Sequence, residues 1–199
     1  MGYSRLSAAS NPAPSDRSPA DAPHVSVVVP LFNCLELTQA MLASLEATLP
    51  RALAVEIILI DDGSTDGTRT WLSTLDPARY RVLLNERNLG YAAANNRAVA
   101  VARGTFLALL NSDLELTPGW LEPMLAVHRT LGPRAGLIGN VQRQVRTGEI
   151  DHAGIIIGGT GKPEHLRHPP ARIDAPFSRL YRVPAVTGAC MLVERALWD

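Results

Sequence analysis

Apolar residues along the chain form short continuous runs, and each run predicts a β-strand that is buried on both faces. The runs are VSVVVP at 25–30, VEIILI at 55–60, RVLL at 81–84 and TFLALL at 105–110. Between them, apolar residues recur at the spacing of amphipathic helices. These helices are predicted over 35–49, 66–75 and 91–102, and from near Pro118 onward. Strands that alternate with helices in this way predict an α/β fold with a mostly parallel sheet.

The alternation weakens after residue 135. A hairpin is predicted in EIDHAGIIIGGTG at 149–161, followed by a loop over 161–180 that is rich in Pro, Arg and His. The segment VPAVTGACMLVERALW at 183–198 predicts a final strand and helix. Residues 1–22 are rich in Ser, Ala, Pro and Asp, a composition typical of a disordered tail or linker. We therefore expect one folded domain over 23–199, after this tail.

Composition and charge narrow the class of partner. The 199 residues include 19 basic and 19 acidic side chains, so no net charge favours nucleic acid. No window approaches the roughly 20 apolar residues that span a bilayer, and a secretory signal is not evident. These features predict a cytoplasmic protein, at most peripheral to the inner membrane face. Cys34 and Cys190 lack metal or redox spacing and are expected to be unoxidised packing residues.

Acidic residues stand directly after two of the predicted strands. In parallel α/β sheets, ligands bind outside the carboxyl ends of the strands. Asp61 and Asp62 follow the second strand, and Asp113 follows the fourth one in LALLNSD. Simple helix or turn capping is the alternative for each, and we favour capping for Asp66. Two adjacent carboxylates exceed what one cap requires, so Asp61 and Asp62 favour a ligand site.

The sequence around these carboxylates indicates which type of ligand the site could bind. The chain has no GxxxxGK[ST] sequence and no GxGxxG after a strand, so a glycine-rich phosphate cradle is not predicted. Mg²⁺ or Mn²⁺ is usually held by one or two carboxylates together with phosphates and water. Asp113 alone can therefore serve a divalent cation that also binds a diphosphate.

Four segments in this order resemble the large inverting glycosyltransferase family usually called family 2, which has the GT-A fold. They are VSVVVPLFN, VEIILIDDGSTDGT, NERNLGYAAANNRAVAVARGTFLALLNSD and AVTGACMLVERALW, and the resemblance covers residues 24–198. The segment IDHAGIIIGGTGKPEHLRH further resembles the rhamnosyltransferase-like subset that builds bacterial surface polysaccharides. This resemblance implies a UDP-, dTDP- or GDP-linked sugar donor and a glycan or lipid-linked glycan acceptor.

The resemblance also implies roles for individual residues. Asp113 would be the principal metal ligand, although Asn111 stands where the family motif often has a second carboxylate, which would weaken metal affinity. The nucleotide-binding residues would be Pro30, Phe32, Asp61, Asp62, Asn88, Gly90, Asn95 and Ser112. The donor sugar and acceptor would lie near Thr187, Gly188, Ala189 and His165. His152 and His165 both lie in predicted loops, where a lone histidine is usually a surface residue.

Inverting transfer requires a general base that removes the proton of the acceptor hydroxyl. In the family this base belongs to an acidic segment downstream of the TGACMLVERALW match, so we expect a chain that is truncated before its base. Donor binding without efficient transfer is the expected behaviour. A non-catalytic nucleotide-sugar-binding module is the main alternative. A nucleotidyltransferase is disfavoured because PLFNCLEL lacks the glycine-rich, basic loop of such enzymes.

Overall fold

The computed structural model describes residues 24–168 and 180–198. The predicted tail at 1–22 and residues 169–179 of the predicted loop lie outside this range. The strands are β1 (Val25–Leu31), β2 (Val55–Asp61), β3 (Tyr80–Leu84), β4 (Phe106–Leu110), β5 (Ile138–Gly139), β6 (Gln142–Arg143), β7 (Ile150–His152), β8 (Ile155–Ile157), β9 (Pro163–His165) and β10 (Cys190–Glu194). The helices are α1 (Leu35–Thr48), α2 (Thr68–Leu72), α3 (Tyr91–Val99), α4 (Glu122–Leu131) and α5 (Arg195–Trp198).

The main sheet has the strand order β3-β2-β1-β4-β10-β5. β1, β2, β3 and β4 run parallel to one another, whereas β10 is antiparallel to both β4 and β5. The carboxyl ends of β1, β2 and β4 therefore meet at one edge of the sheet. The predicted α/β fold with a mostly parallel sheet is confirmed.

The core lies on both faces of this sheet because successive side chains of a strand point to opposite sides. Alternate residues of β1, such as Val27 and Val29, pack with apolar residues of α1 and α4. Val28 faces the other side and packs with the fully buried Ala94 and Ala98 of α3. Their small side chains let α3 approach the sheet closely. No helix within the described ranges is long and apolar enough to cross a membrane.

Two predicted helices begin later than the sequence pattern indicated. α2 begins at Thr68 rather than 66, because Gly67 has a left-handed backbone with φ of 99°, and it ends at Leu72 rather than 75. The helix predicted from near Pro118 begins at Glu122. Gly119, which lies between Pro118 and Glu122, has a left-handed φ of 80° and prevents the helix from starting at Pro118. A residue with left-handed backbone cannot belong to a right-handed α-helix, so both predicted helix starts were wrong.

The predicted hairpin at 149–161 is also wrong in its pairing. β7 pairs with β6, and β8 pairs with β9, both antiparallel. Gly154 separates β7 from β8 and has φ of 135°, a conformation that L residues rarely adopt. The chain therefore bends between these strands. β9 also shows that the predicted loop at 161–180 contains a short strand.

Candidate active site at the strand ends

Asp61 organises the turn after β2, and its side chain is fully buried. Its two carboxylate oxygens accept the backbone N–H of Ser64 at 3.2 and 3.3 Å. Oδ2 also accepts a hydrogen bond from Arg69 Nε at 2.7 Å. A buried carboxylate without such partners would be strongly destabilising. Asp61 thus stabilises the turn through hydrogen bonds made in the protein interior.

Asp62 fixes a second loop, the one that follows β3. Its Oδ1 accepts hydrogen bonds from Asn85 Nδ2 at 2.6 Å and from the Leu89 backbone N–H at 2.9 Å. Its Oδ2 accepts the Gly90 backbone N–H at 2.9 Å. A carboxylate offers about four lone-pair positions, so Oδ2 retains room for one further donor. Asp62 is therefore a loop anchor that can still contact a ligand.

Glycine is required between these loops at Gly63, where φ is 86°. A Cβ there would lie 2.6 Å from the Arg87 carbonyl carbon and 2.7 Å from the Asn88 nitrogen. Real Cβ atoms do not approach backbone atoms this closely. The glycine in DDGS therefore permits the loop after β3 to lie directly against the turn after β2.

Asn85 forms hydrogen bonds with both Asp61 and Asp62 and was not singled out from the sequence. It is buried, donates its side-chain N–H to Asp62, and donates its backbone N–H to the Asp61 carbonyl at 2.8 Å. Its side-chain oxygen accepts from Arg97, and its backbone carbonyl accepts from Arg69. The only sequence signal was a polar residue directly after a predicted strand, the same signal that identified Asp113.

The loop after β1 is tied to the turn after β2. The Asn33 backbone N–H donates to Ser64 Oγ at 2.7 Å, and Asn33 Oδ1 accepts the Thr65 N–H at 2.8 Å. Asp66 accepts from the backbone N–H groups of Leu35 and Thr68, at 3.0 and 3.1 Å, so its predicted capping role is confirmed. Cys34 is exposed at this loop, and its prediction as a packing residue was wrong.

Residues 187–189 contact the end of β4 and the first residue of α3. The Asn111 backbone N–H donates to the Ala189 carbonyl at 2.8 Å. The Gly188 carbonyl accepts from the Tyr91 hydroxyl at 2.7 Å, and burial raises the pKa of Tyr91. A Cβ on Gly188 would lie 2.7 Å from that hydroxyl oxygen. The glycine therefore permits the contact between this segment and α3.

These loops border an open cavity of about 330 Å³ at the carboxyl ends of β1, β2 and β4. We call it the strand-end cavity. Seven residues that the sequence singled out line it: Pro30, Phe32, Asp62, Asn88, Gly90, Ser112 and Asp113. Its other lining residues are Leu31, Cys34, Leu37, Tyr91, Ala94 and Asn111. The cavity thus unites the two acidic strand ends with an apolar wall.

The remaining candidates are not among the lining residues of this cavity. Asp61 supports the turn below Asp62, as described above. Asn95 is buried in α3 and donates its side-chain N–H to the Tyr91 carbonyl at 2.9 Å. Residues 187–189 contact lining residues through Asn111 and Tyr91. His165 lies in β9, exposed, and stacks edge-on against His152.

His152 differs from its sequence-based prediction as a surface residue. It is the last residue of β7 and only 2% of its surface is exposed. Its Nε2 accepts the Thr187 backbone N–H at 3.2 Å. The imidazole contacts Thr187 and His165, which are distant from it in sequence, so sequence spacing could not show this environment.

The donor set at the end of β4 fits a hard divalent cation. Asp113 is exposed and makes no hydrogen bond to any residue in the described ranges, so both carboxylate oxygens are available. Asn111 and Ser112 add neutral oxygen donors along the same wall. Within the described ranges no group of three or more His, Cys, Asp or Glu side chains forms a ready metal cage. A cation here would need phosphate and water oxygens to complete its coordination, as Mg²⁺ commonly does.

Comparison with known proteins agrees with this geometry. The sequence model of Glycosyl transferase family 2 matches residues 26–197. The uncharacterized protein y4gI of Sinorhizobium fredii is 34% identical over 188 residues, which cover 89% of this chain and 20% of that protein. The O-antigen biosynthesis protein RfbC of Myxococcus xanthus is 30% identical over 184 residues, covering 89% of this chain and 14% of that protein.

This chain therefore spans a fifth or less of the length of these relatives. Among solved structures, GalNAc-T7 with UDP, GalNAc and Mn²⁺ superposes with a TM-score of 0.70 at 20% identity. The superposition covers 90% of this chain and 36% of that one, and at this identity it reports on the fold. The superposition shows the GT-A fold. The family match over residues 26–197 shows that the chain belongs to glycosyl transferase family 2.

Proposed function

We propose that the strand-end cavity binds a nucleoside-diphosphate sugar together with a divalent cation, and that the sugar is transferred with inversion to a glycan acceptor. The observation that carries this proposal is the meeting of Asp62 and Asp113 in one cavity. Two carboxylates and an apolar wall match a ligand that combines an aromatic base with a metal-bound diphosphate. GalNAc-T7, which has the same fold, was solved with UDP and Mn²⁺.

The lining residues divide between the two ends of such a ligand. Pro30, Phe32 and Leu37 offer an apolar surface for the nucleoside, and Phe32 and Leu37 are 49% and 52% exposed without one. Asp62 has one lone-pair position left for a donor group of the base. Gly90 lines the cavity, and its φ of 88° favours a residue without a side chain.

Asp113, with Asn111 and Ser112 beside it, would hold the cation at the diphosphate end. A bound Mg²⁺ or Mn²⁺ would offset the negative charge that develops on the departing nucleoside diphosphate. The segment at residues 187–189 borders this end through the Asn111–Ala189 hydrogen bond. We assign the transferred sugar and the acceptor to that side, with His165 as a further contact.

The biological role is proposed from a relative. RfbC of Myxococcus xanthus is an O-antigen biosynthesis protein, and a surface polysaccharide is therefore our leading acceptor. A rhamnose donor linked to UDP, dTDP or GDP is the leading choice, on the resemblance of residues 150–168 noted above. Synthesis of such polymers would place the chain in the cytoplasm at the inner membrane face.

The general base is the part of the reaction that the cavity does not supply. Among the described residues, Asp62 and Asp113 are the only carboxylates that line it. Asp62 already accepts three hydrogen bonds, and Asp113 is assigned to the cation. A missing base costs roughly 10²–10⁴-fold in rate. The second candidate function is therefore donor binding without transfer by this chain.

Calorimetric titration with UDP, GDP and dTDP, with and without Mn²⁺, tests donor binding. We expect one nucleotide to bind with metal dependence and Asp113→Asn to weaken that binding at least about tenfold, or 1.4 kcal/mol. Glu115→Gln is the matched control, because Glu115 is an exposed carboxylate outside the cavity lining. Equal affinity of the Asp113→Asn variant and the wild-type chain would refute the metal site.

A transfer assay with the sugar linked to the best nucleotide then separates the two candidate functions. Binding accompanied by transfer at least roughly 10²-fold slower than the about 10 s⁻¹ typical of enzymes supports donor binding without a general base. Rapid transfer by the purified chain would show that a group within it acts as the base, contrary to our expectation.

A further inference from the structure

The buried histidine of β7 holds the segment that borders the strand-end cavity. His152 Nε2 accepts the Thr187 backbone N–H at 3.2 Å, so in the neutral ring the proton lies on Nδ1. The ring also packs edge-on against His165, with ring centroids 4.8 Å apart and planes at 75°. Thr187 and His165 are thus the two candidate donor-side residues that interact with His152 within the described ranges.

The segment at 187–189 transmits this contact to the cavity wall. Thr187 Oγ1 accepts the Ala189 backbone N–H at 3.3 Å, which makes the segment a tight turn. The Ala189 carbonyl then accepts from the Asn111 N–H, and the Gly188 carbonyl accepts from the Tyr91 hydroxyl. One side of the segment therefore rests on His152, and the other side touches two lining residues of the cavity.

The hydrogen bond to Thr187 exists only while Nε2 carries no proton. Protonation would place an N–H of the imidazolium against the Thr187 N–H, two donors without an acceptor. His165 and Asp151 are the titratable groups that act on the ring. Burial lowers the pKa of His152 below its ordinary 6.5 and the neighbouring His165 lowers it further, whereas Asp151 opposes both.

We propose that neutral His152 is a positioning residue that holds the 187–189 segment beside the strand-end cavity, and that its protonation releases the segment. This inference rests on the proposed function only where it concerns donor affinity. The sign of the pH effect follows from the lowered pKa. The contribution of the neutral ring is complete above about pH 6.5, and it is lost as the pH falls through the pKa of the folded protein.

The first experiment needs no nucleotide. Proton–carbon NMR follows the protonation of His152, and hydrogen exchange follows the protection factors of the Thr187 and Ala189 amides between pH 7.5 and 5. We expect the protection of both amides to fall at least about threefold in step with protonation of the ring. Unchanged protection while the ring titrates, or a ring that stays neutral to pH 5, would overturn the proposal.

Two substitutions separate positioning from simple folding. His152→Gln keeps an acceptor that can reach Thr187 and removes the titration, so we expect normal amide protection at pH 7.5 and none of the loss at pH 5. His152→Leu removes the acceptor, and we expect it to resemble the protonated protein at every pH. His168→Gln is the matched control, because His168 is exposed and makes no hydrogen bond within the described ranges.

Donor affinity supplies the functional readout. The dissociation constant of the best nucleotide-sugar should rise about three- to tenfold for His152→Leu and should be restored in His152→Gln. If no nucleotide-sugar binds the wild-type chain, the proposed function fails, but the exchange measurements still decide the role of His152. Equal protection and equal affinity in His152→Leu and the wild-type chain would refute the positioning role.

Discussion

Replacing Asn85 with alanine removes the side chain that links Asp62 to Arg97. The amide donates to Asp62 Oδ1 at 2.6 Å and accepts from Arg97, and Asn85 itself is 1% exposed. The backbone hydrogen bonds of residue 85 to the Asp61 carbonyl and from Arg69 do not depend on this side chain. Asn85→Ala therefore perturbs Asp62 without removing the turn below it.

The expected loss of stability follows from the two side-chain hydrogen bonds. The bond to the buried Asp62 carboxylate contributes about 1.5–3 kcal/mol, the range for hydrogen bonds to charged groups. Arg97 is exposed, so water replaces its lost partner and its share is small. The sum, about 2–3 kcal/mol, is a large part of the 5–15 kcal/mol typical of a domain. It corresponds to a fall in Tm of roughly 4–12 °C.

Urea unfolding and calorimetric titration with nucleotide measure the two consequences. We expect Asn85→Ala to lose about 2–3 kcal/mol of unfolding free energy and to bind nucleotide about tenfold more weakly, because Asp62 loses one of its three donors. Asn96→Ala is the control, since it makes the same chemical change at an exposed position of α3. A stability loss below about 0.5 kcal/mol, equal to that of the control, would refute the assignment of Asn85 as a structural link.

Two further predictions concern the loops around the cavity. Gly63→Ala should lower the free energy of unfolding in urea by about 2–4 kcal/mol, since it combines a left-handed backbone with a clash against residues 87 and 88. Gly136→Ala is the control and should lower it far less, because the space around Gly136 is open. Iodoacetamide at pH 8 should modify only the exposed Cys34 of the native chain, because burial raises the pKa of Cys190 to about 11. Nucleotide should slow that modification, and equal rates at both cysteines would contradict this picture.

The sequence predicted the strands of the sheet centre closely. β1 and β2 extend one residue past their predicted ends, at Leu31 and Asp61, and β4 begins one residue later than predicted. Continuous β-branched and apolar runs leave few alternatives to a buried strand. The starts of α1 and α3 were predicted, whereas α2 and α4 begin later than predicted, after the left-handed backbone at Gly67 and Gly119.

The location of the site could be predicted from the parallel arrangement of the strands. Asp62 and Asp113 follow parallel strands, so they had to emerge at the same edge of the sheet. The roles of Asn85 and His152 could not be predicted, because each depends on contacts between segments that are distant in sequence. The Tyr91–Gly188 hydrogen bond, for example, joins residues 97 positions apart.

The sequence by itself thus determined the α/β class, the strands and the two acidic strand ends, because these features depend on local patterns of apolar and polar residues. Only the tertiary structure decided how the carboxylates are used. It buried Asp61 against Arg69, gave Asp62 three donors and left Asp113 without a hydrogen bond among the described residues. The physical reason is that the partners of a charged group are fixed by packing, which brings together loops that the sequence keeps apart.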